Sequence, residues 1–322
     1  MRLYGTIEMS VKKIVQLTHD VKQFYLFPLD GKALPAFTGG SHITTYVSDG
    51  VHSFERDYSL TSSPIHREYY SIAIHRSPNS RGGSEYWHTH IKEGDHVSIT
   101  PPKNHFALSY RAKHHVFYAA GIGITPFLTM MEEVKRQGGS FELHYSARTS
   151  EQCAFYNSIQ TLYRDRTRFY FTRTENGQRI ATNQMKHHAI GSHVYFCGPQ
   201  AMVTEFRDAA YEIGYPSGSV HFEVFSLDDG ERYPFQVELA ASSRTLIVEE
   251  GETLLDALLR EGVDAPYSCK AGGCGQCEVP LIEGDVDHRD IFYTEEERLE
   301  RGVILTCCSR TAKENESLTI HL

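Results

Sequence analysis

Four cysteines near the C-terminus have the spacing of an iron–sulfur centre. Cys269, Cys274 and Cys277 follow the pattern C-x4-C-x2-C, and Cys307 comes after 29 intervening residues. This spacing is typical of a [2Fe–2S] cluster, in which a short loop supplies three thiolates and a distant strand supplies the fourth. Glycines within the loop permit tight folding, because glycine adopts positive φ at little cost. The pattern therefore predicts a redox centre rather than a disulfide framework.

Zinc is the main alternative occupant of such a cysteine set. Structural zinc sites use paired C-x2-C or Cys/His sets, whereas this chain has a single C-x2-C and an x4 interval that fits zinc poorly. Cys308 directly follows Cys307, and neighbouring residues of an extended strand point to opposite faces. The C-x29-C interval selects Cys307 as the fourth ligand, and Cys308 is interpreted as a small buried residue.

Two segments that contain glycine indicate a dinucleotide site. The pattern G-x-G-x-x-P at Gly121–Pro126 follows an apolar strand and opens a helix. Glycine allows a pyrophosphate to approach the backbone there, and the helix N-terminus favours its charge. Proline replaces the third glycine of the Rossmann fingerprint, so a purely structural turn is the alternative. Because Cys197–Pro199 also ends a strand, both segments fall at the carboxyl edge where open α/β sheets bind ligands.

A third group of residues suits a phosphate and a flat ring. Arg56–Leu60 reads RDYSL, and Arg81–Ser84 reads RGGS. Arginine forms a fork that matches phosphate, and a Gly-Gly-Ser turn offers backbone N–H groups and a hydroxyl to the same anion. Tyr58 could stack on a ring. Taken singly, these residues would be interpreted as ordinary strand residues and a surface turn.

The pattern of strands and helices divides the chain into segments. Residues 1–108 contain short β-like runs separated by glycine and proline, which predicts an antiparallel β-barrel. Strands alternate with helices over 109–225, which predicts a parallel α/β sheet. Residues 226–233 indicate a linker, and 234–322 a small α+β domain around the cysteines. The elements expected in the second segment are His115–Ala120, Thr125–Gln137, Phe141–Ser146, Glu151–Tyr163, Arg168–Arg173, His193–Cys197 and Gln200–Ile213.

Composition and charge narrow the class of protein. The 322 residues are 40% hydrophobic and 23% charged, which suits a globular protein. No apolar segment of the signal-peptide kind stands at the N-terminus, so a cytoplasmic protein is expected. Residues 1–225 carry 23 Lys and Arg against 20 Asp and Glu, a net of +3, and 226–322 carry 9 against 21, a net of −12. The acidic segment provides either solubility or a surface for a basic redox partner, and neither favours nucleic acid or a membrane.

The 18 histidines invite a metal interpretation as well. A Rieske centre needs two histidines and two cysteines on one cluster. The pairs at 114–115 and 187–188 lack Cys-x-His spacing, so the histidines are interpreted as surface or structural residues.

Taken together and in this order, the motifs resemble the phthalate dioxygenase reductase family, the NADH-dependent reductase components of Rieske-type oxygenases. The resemblance rests on R-x-Y-S-L, G-G-S, G-x-G-x-x-P, C-G-P and C-x4-C-x2-C…C, which together cover essentially the whole chain. Stretches such as LPAFTGGSH, GIGITPF and EGDVDHRD are most similar to reductases of the carnitine monooxygenase and vanillate O-demethylase kind.

The resemblance implies an FMN-binding β-barrel, an NAD-binding domain and a C-terminal β-grasp ferredoxin domain. It implies that Arg56 and Ser84 hold the FMN phosphate and that Tyr58 and Ser59 contact the isoalloxazine. The residues expected to contact flavin or dinucleotide are Arg56, Tyr58, Ser59, Leu60, Arg81, Gly82, Gly83, Ser84, Gly121, Gly123, Thr125, Pro126, Arg148, Gly198, Pro199 and Phe225. Those expected nearest the reacting rings are Ser59, Thr125, Cys197 and Phe225, with Cys197 as a positioning residue rather than a nucleophile.

The expected function is electron transfer from NADH through FMN and the [2Fe–2S] cluster to a separate Rieske oxygenase. FMN rather than FAD is inferred from the domain order and the double glycine before Ser84. Arg148 leaves NADPH open, but no basic cluster accompanies it and the family favours NADH. A monomer is expected. The alternatives are a reductase for another acceptor, such as a cytochrome or a diiron hydroxylase, and a non-catalytic iron–sulfur redox sensor.

Overall fold

The computed structural model describes residues 5–48, 50, 53–78, 82–175, 177–225 and 233–322. The chain forms two compact units. The first contains the residues up to Gly198 together with Glu205–Glu223, and the second contains Pro199–Thr204 and Val224–Leu322. Apart from Tyr233, the predicted linker lies outside the described residues. The proposed boundaries at 108/109 and 225/226 stay predictions.

The first unit begins with an antiparallel barrel, as predicted. Its elements are β1 (Ile7–Thr18), β2 (Val21–Pro28), β3 (His42–Ser48), β4 (Ser53–Ser59), β5 (Tyr70–His75), α1 (Gly83–Thr89) and β6 (His96–Ile99). The strand order is β4-β3-β6-β1-β2-β5, and a bridge between Leu60 and Ile72 closes the barrel. Its interior is an apolar core in which Phe24, Leu26 and Trp87 are fully buried.

The same unit continues into a parallel sheet. Its elements are β7 (His114–Ala120), α2 (Thr125–Arg136), β8 (Phe141–Ala147), α3 (Tyr156–Tyr163), β9 (Thr167–Phe171), β10 (Ser192–Cys197), α4 (Gln200–Ile213) and β11 (Val220–Glu223), and the residues of α4 up to Thr204 belong to the second unit. The order β11-β10-β7-β8-β9 is parallel throughout. The sheet runs outward from β7 in both directions, so its order reverses between β7 and β10. The predicted α/β class is confirmed.

One helix boundary differs from the sequence prediction. The helix expected over Glu151–Tyr163 begins at Tyr156. Phe155, directly before it, has a φ of 61°, a left-handed conformation that a right-handed helix cannot contain. The segment before the helix is held by Tyr145, whose hydroxyl lies 3.2 Å from the Ala154 carbonyl oxygen. A tertiary hydrogen bond therefore outweighs the local helix preference of this segment.

The second unit is a small α+β domain, as predicted. Its elements are β12 (Phe235–Leu239), β13 (Arg244–Val248), α5 (Leu254–Arg260), β14 (Glu278–Glu283), β15 (Val286–Asp287), α6 (Glu295–Arg301), β16 (Val303–Leu305), β17 (Arg310–Thr311) and β18 (Ser317–Ile320). The main sheet has the order β13-β12-β18-β14-β16. A capping box between Thr253 and Asp256 starts α5, whose buried leucines pack into the core of this unit. Within the described ranges, no helix combines the length and apolarity that crossing a bilayer requires.

Two glycines of the barrel let α2 approach its backbone within the first unit. A Cβ atom on Gly39 would lie 2.8 Å from the Cα atom of Met130. The N–H of Gly39 donates to a carboxylate oxygen of Glu133 at 2.5 Å, and the N–H of Gly40 donates to the Thr129 hydroxyl at 3.0 Å. Glu133 is only 3% exposed. This buried contact joins the barrel to the parallel sheet.

Smaller contacts support the same junction. The Ser63 hydroxyl hydrogen-bonds to the Glu132 carboxylate. Val21 and Ala73 of the barrel pack in one apolar cluster with Ala154, which precedes α3. The barrel and the parallel sheet are therefore in contact at two separate places in the first unit.

We expect Gly40→Ala to destabilise the first unit more than Gly31→Ala. Both glycines have positive φ, 88° and 67°, so each substitution carries a backbone cost of roughly 1–2 kcal/mol. At Gly40 the new Cβ would also lie 2.1 Å from the Phe106 carbonyl oxygen, whereas at Gly31 nothing lies within 4 Å. Thermal unfolding followed by near-UV circular dichroism should show the larger fall in midpoint for Gly40→Ala. Equal shifts would show that the junction tolerates the added atom.

Candidate electron-transfer sites

The residues predicted to hold a phosphate come together at the start of α1. The side chain of Arg56 on β4 lies against Gly83, since a Cβ there would be 2.8 Å from the Arg56 Cγ and 3.0 Å from its Nε. Gly82 precedes the helix with a φ of 89° and packs against the ring of Phe54. Ser84 is half-buried in the first turn, and its hydroxyl accepts the Ser77 N–H at 3.4 Å.

This set of donors fits a phosphate. A guanidinium, a hydroxyl and the first N–H groups of a helix are the groups that proteins use for that anion. The sequence indicated a turn at Arg81–Ser84, whereas Gly83 and Ser84 begin a helix. The difference has a physical cause, because Gly82 takes the left-handed conformation that reverses the chain just before the helix. Arg81 lies outside the described residues.

The residues predicted to face a flavin ring differ in their exposure. Tyr58 is half-buried and makes an edge-on contact with Trp87, with ring centroids 6.2 Å apart. Burial raises the pKa of Tyr58 above its ordinary value, so its phenol stays neutral. Ser59 is buried, and Leu60 belongs to the barrel core and donates its N–H to the Ser41 carbonyl oxygen. Leu60 therefore has only its carbonyl group to offer a ligand.

The two glycine segments leave neighbouring strands at the point where the sheet order reverses. Ligands of open α/β sheets bind in the crevice at such a point. Gly121 begins a short 3₁₀ turn after β7, and Cys197–Pro199 follows β10. A Cβ on Gly123 would lie 2.2 Å from the Cys197 carbonyl oxygen and 2.8 Å from the Gly198 nitrogen. Gly123 is therefore needed for the two loops to touch, which is a role that the motif alone did not reveal.

The remaining residues of this edge are divided between open and buried positions. Gly121 is exposed, has a φ of 56° and would place a Cβ in open space. Thr125 and Pro126 are buried at the start of α2, and the Thr125 hydroxyl donates to the Ile122 carbonyl oxygen at 3.0 Å. The backbone at Gly121 is thus open to solvent, and a dinucleotide contact there stays a prediction. The other two residues shape the turn beneath it.

Cys197 is fully buried, and this decides its chemical state. Burial raises the pKa of its thiol well above the ordinary value, with a smaller contribution from the Glu223 carboxylate. A neutral thiol is a poor nucleophile. This state argues against a nucleophilic role, and a positioning role for Cys197 stays a prediction.

The carboxyl ends of β8 and β9 present a pair of arginines, only one of which the sequence singled out. Arg148 and Arg173 are both exposed, and the N–H of Arg173 donates to the Arg148 carbonyl oxygen at 2.9 Å. Arg173 was hard to associate with Arg148 from the sequence because the two lie 25 positions apart.

Phe225, the remaining predicted residue, follows β11, belongs to the second unit and is 41% exposed.

Strand pairing in the second unit places two of the four cysteines side by side. Cys277 directly precedes β14, and Cys307 follows β16 by two positions. Glu278 pairs with Leu305, and the Thr306 N–H donates to the Cys277 carbonyl oxygen at 3.2 Å. The cysteine that is distant in sequence is therefore brought to the loop by sheet register.

The four sulfurs form two hydrogen-bonded pairs. Cys269 donates to Cys274, which lowers the pKa of Cys274 to about 7 and raises that of Cys269. Cys277 and Cys307 form the second pair. Donation to Cys307 raises the pKa of Cys277, and, against the hydrogen bond from Cys277, the Cys308 thiol together with burial raises the pKa of Cys307 as well. The Gly272 N–H donates to the Cys307 sulfur at 3.3 Å. Two pairs of sulfurs with backbone donors fit a cluster in which each of two irons takes two thiolates.

The adjacent cysteine has different neighbours. The Cys308 thiol lies 3.6 Å from the Leu305 carbonyl oxygen and 3.8 Å from the Ser309 hydroxyl. Tight folding of the ligand loop uses left-handed residues at Lys270, Gly272 and Gly275. The Cys307 sulfur thus contacts the ligand loop, whereas the Cys308 thiol contacts Leu305 and Ser309, and Cys307 as the fourth ligand stays a prediction.

Two known families match the parts of the chain that contain these residues. Residues 117–208 match the family described as "Oxidoreductase NAD-binding domain", and residues 237–312 match the family described as "2Fe-2S iron-sulfur cluster binding domain". The first range contains the loops after β7 and β10. The second contains all four cysteines.

Known proteins also resemble the chain over nearly its full length. It is 38% identical to the carnitine monooxygenase reductase subunit of Escherichia coli (strain K12), over 95% of this chain and 96% of the relative. It is 37% identical to the heme-dependent oxidative N-demethylase beta subunit of Ectopseudomonas mendocina, over 94% and 96%. The solved structure of phthalate dioxygenase reductase superposes with a TM-score of 0.82 at 32% identity, and covers 99% of this chain and 98% of that one.

Cys307→Ser should abolish the cluster, whereas Cys308→Ser should keep it. The two residues are adjacent and buried, so the pair separates ligation from general damage to the fold. We expect the Cys307 variant to lose its iron and its reduction of cytochrome c while NADH still reduces the flavin. Iron analysis and anaerobic absorption spectra measure both effects. Loss of iron from the Cys308 variant alone would reverse the ligand assignment.

Proposed function

The chain belongs to the phthalate dioxygenase reductase family, and we propose that it is the NADH-dependent reductase of a two-component Rieske oxygenase. The cofactors are FMN, NADH and a [2Fe–2S] cluster. The observation that supports this function most directly is the sheet register that sets Cys277 beside Cys307, in a chain that also carries the proposed dinucleotide edge and phosphate cradle. A non-catalytic sensor would need no hydride donor, so the dinucleotide edge argues against that alternative.

The roles that we propose for the cofactors and for the protein follow from the chemistry of the cofactors. A bound flavin accepts a hydride from a nicotinamide and releases single electrons, which is what a one-electron cluster requires. The protein then has to bind, orient and exclude water, and it needs no acid, base or nucleophile of its own. Arg56 and Ser84 would hold the flavin phosphate, and Gly121 would admit the dinucleotide. Cys197 and Thr125 would shape the pocket where the two rings meet.

We place delivery of the electron at the surface beside the cluster loop. Phe292 is 39% exposed and packs over Gly275 of that loop, where a Cβ would lie 2.4 Å from the Phe292 ring. The helix that follows, α6, exposes Glu295, Glu296 and Leu299. An apolar centre with an acidic rim suits a transient partner with basic charge. The excess of acidic residues over 226–322 would therefore steer the oxygenase rather than serve solubility alone.

The cellular setting follows from the same chemistry. NADH and reduced thiols are both supplied by a reducing compartment, so we place the protein in the cytoplasm. We also propose that it is a monomer that meets the oxygenase only transiently, since an electron carrier must release its partner between turnovers.

A haem acceptor is the second candidate. The beta subunit of a heme-dependent oxidative N-demethylase is 37% identical to this chain, nearly the identity of the carnitine monooxygenase reductase. The two acceptor classes are separated by mixing NADH-reduced protein with a Rieske oxygenase and with a haem-dependent demethylase. The acceptor whose reduction rate saturates as its own concentration rises belongs to the class that binds this surface.

Reversing one charge on α6 should slow electron delivery to a basic acceptor. We expect Glu296→Lys to lower the second-order rate of cytochrome c reduction by roughly threefold to tenfold at low salt, with little effect at high salt. Glu250→Lys is the matched control. Glu250 is equally exposed but follows β13, at the opposite edge of the sheet from β16. Stopped-flow kinetics over a salt series measure both variants, and equal effects would mean that only net charge matters.

A further inference from the structure

A group of metal-ligating side chains lies on the parallel sheet, outside the electron-transfer sites. One donor atom each from Glu142, His144 and His188 lies within 4.8 Å of the other two. The Glu142 Oε1 is 2.9 Å from the His188 Nδ1 and 3.4 Å from the His144 Nε2. Both imidazoles are buried, with 5% and 8% of the side chain exposed, whereas the carboxylate is 38% exposed.

Sheet geometry explains how these residues meet. Glu142 and His144 are two positions apart on β8, so they share one face of the strand. His188 comes from the segment that leads into β10. Glu142 is the second residue of β8 and therefore lies near the amino edge of the sheet, away from the carboxyl edge of the glycine loops. The group is thus independent of the dinucleotide site.

Tyrosine hydroxyls contact the far nitrogen of each histidine. Tyr118 lies 2.7 Å from the His188 Nε2, and Tyr170 lies 2.9 Å from the His144 Nδ1. The Tyr170 hydroxyl in turn donates to the Gln184 side-chain oxygen at 3.0 Å, so its own oxygen is available to accept from His144. At 2.9 Å from the Glu142 carboxylate, the His188 Nδ1 donates its N–H to that group. A bound ion would replace this proton, and each ring would then donate its remaining N–H outward to a tyrosine, as in metal sites whose outer partners orient the ligands.

We propose that Glu142, His144 and His188 bind one divalent transition-metal ion, with zinc as the best fit. Two neutral imidazoles and one carboxylate are a known zinc donor set, with bonds of about 2.0–2.2 Å. Donors at a tetrahedral angle around such an ion stand about 3.3 Å apart. The observed 3.4 Å matches this separation, and the 2.9 Å contact would widen by a few tenths of an ångström.

The proposed ion has a structural role. It ties β8 to the segment before β10, two parts of the chain that are more than 40 positions apart. Glu142 lies near the amino end of β8, whereas the glycine loops follow the carboxyl ends of β7 and β10, so we expect binding to leave hydride transfer unchanged. The exposed side of the Glu142 carboxylate gives the ion access from solvent and leaves room for a water as a further ligand.

Zinc binding to the tag-free holoprotein tests the proposal. The protein is dialysed against a chelator and shown by iron analysis to keep its cluster, because cysteines without iron would bind zinc themselves. Titration calorimetry should then show about one zinc ion per chain. His188→Gln should weaken the affinity at least about tenfold, whereas the adjacent and exposed His187→Gln should leave it unchanged.

Two conservative variants keep the test decisive if His188→Gln folds poorly. Glu142→Gln keeps the shape and removes the charge, and Tyr118→Phe keeps the ring and removes only the outer hydroxyl. Each should weaken zinc binding, the tyrosine variant by about 10–100-fold. No zinc uptake by intact holoprotein would overturn the proposal and leave a plain hydrogen-bonded network. Equal affinity in the His187 and His188 variants would overturn it as well.

Discussion

The first unit depends on one buried contact, in which the carboxylate of Glu133 accepts the backbone N–H of Gly39. A buried carboxylate without such a donor would be costly. The contact also requires that Gly39 carry no side chain, because α2 touches its backbone. The same helix begins directly after the 3₁₀ turn of Gly121. One rigid helix therefore connects the barrel junction at its third turn to the dinucleotide loop at its first.

This connection matters because hydride transfer demands close and oriented reactants. The residues proposed to hold the flavin phosphate lie on β4 and α1 of the barrel, and those proposed to admit the dinucleotide follow strands of the parallel sheet. Neither site can hold its reactant in position for the other site unless the barrel and the parallel sheet keep a fixed relative orientation. In the second unit, sheet register has the corresponding function, since the pairing of Glu278 with Leu305 sets Cys277 beside Cys307.

Spacing in the sequence carried most of the information about the sites. The cysteine intervals and the strand–loop–helix order were sufficient to predict the fold class and the iron–sulfur cluster, whereas the flavin was predicted only from the resemblance that all the motifs carry together. Long-range contacts were not predictable in this way. The burial of the Glu133 carboxylate on α2 could not be predicted from the sequence, because its partner is a backbone N–H 94 positions away. The late start of α3 was likewise not predictable from spacing, since Phe155 directly before it adopts a left-handed conformation. The histidines assigned to surface or structural roles could not be grouped until β8 placed His144 beside His188.

The most direct test of the account is an anaerobic titration of the purified holoprotein with NADH, followed by absorption. We propose that the two electrons of the hydride pass first to the flavin and then to the cluster of the same polypeptide. A flavin that takes two electrons and a cluster that takes one should together bleach at about 1.5 NADH per chain. Bleaching of the flavin bands alone, with the iron–sulfur absorption unchanged, would contradict the account, as would a spectrum that does not respond to NADH.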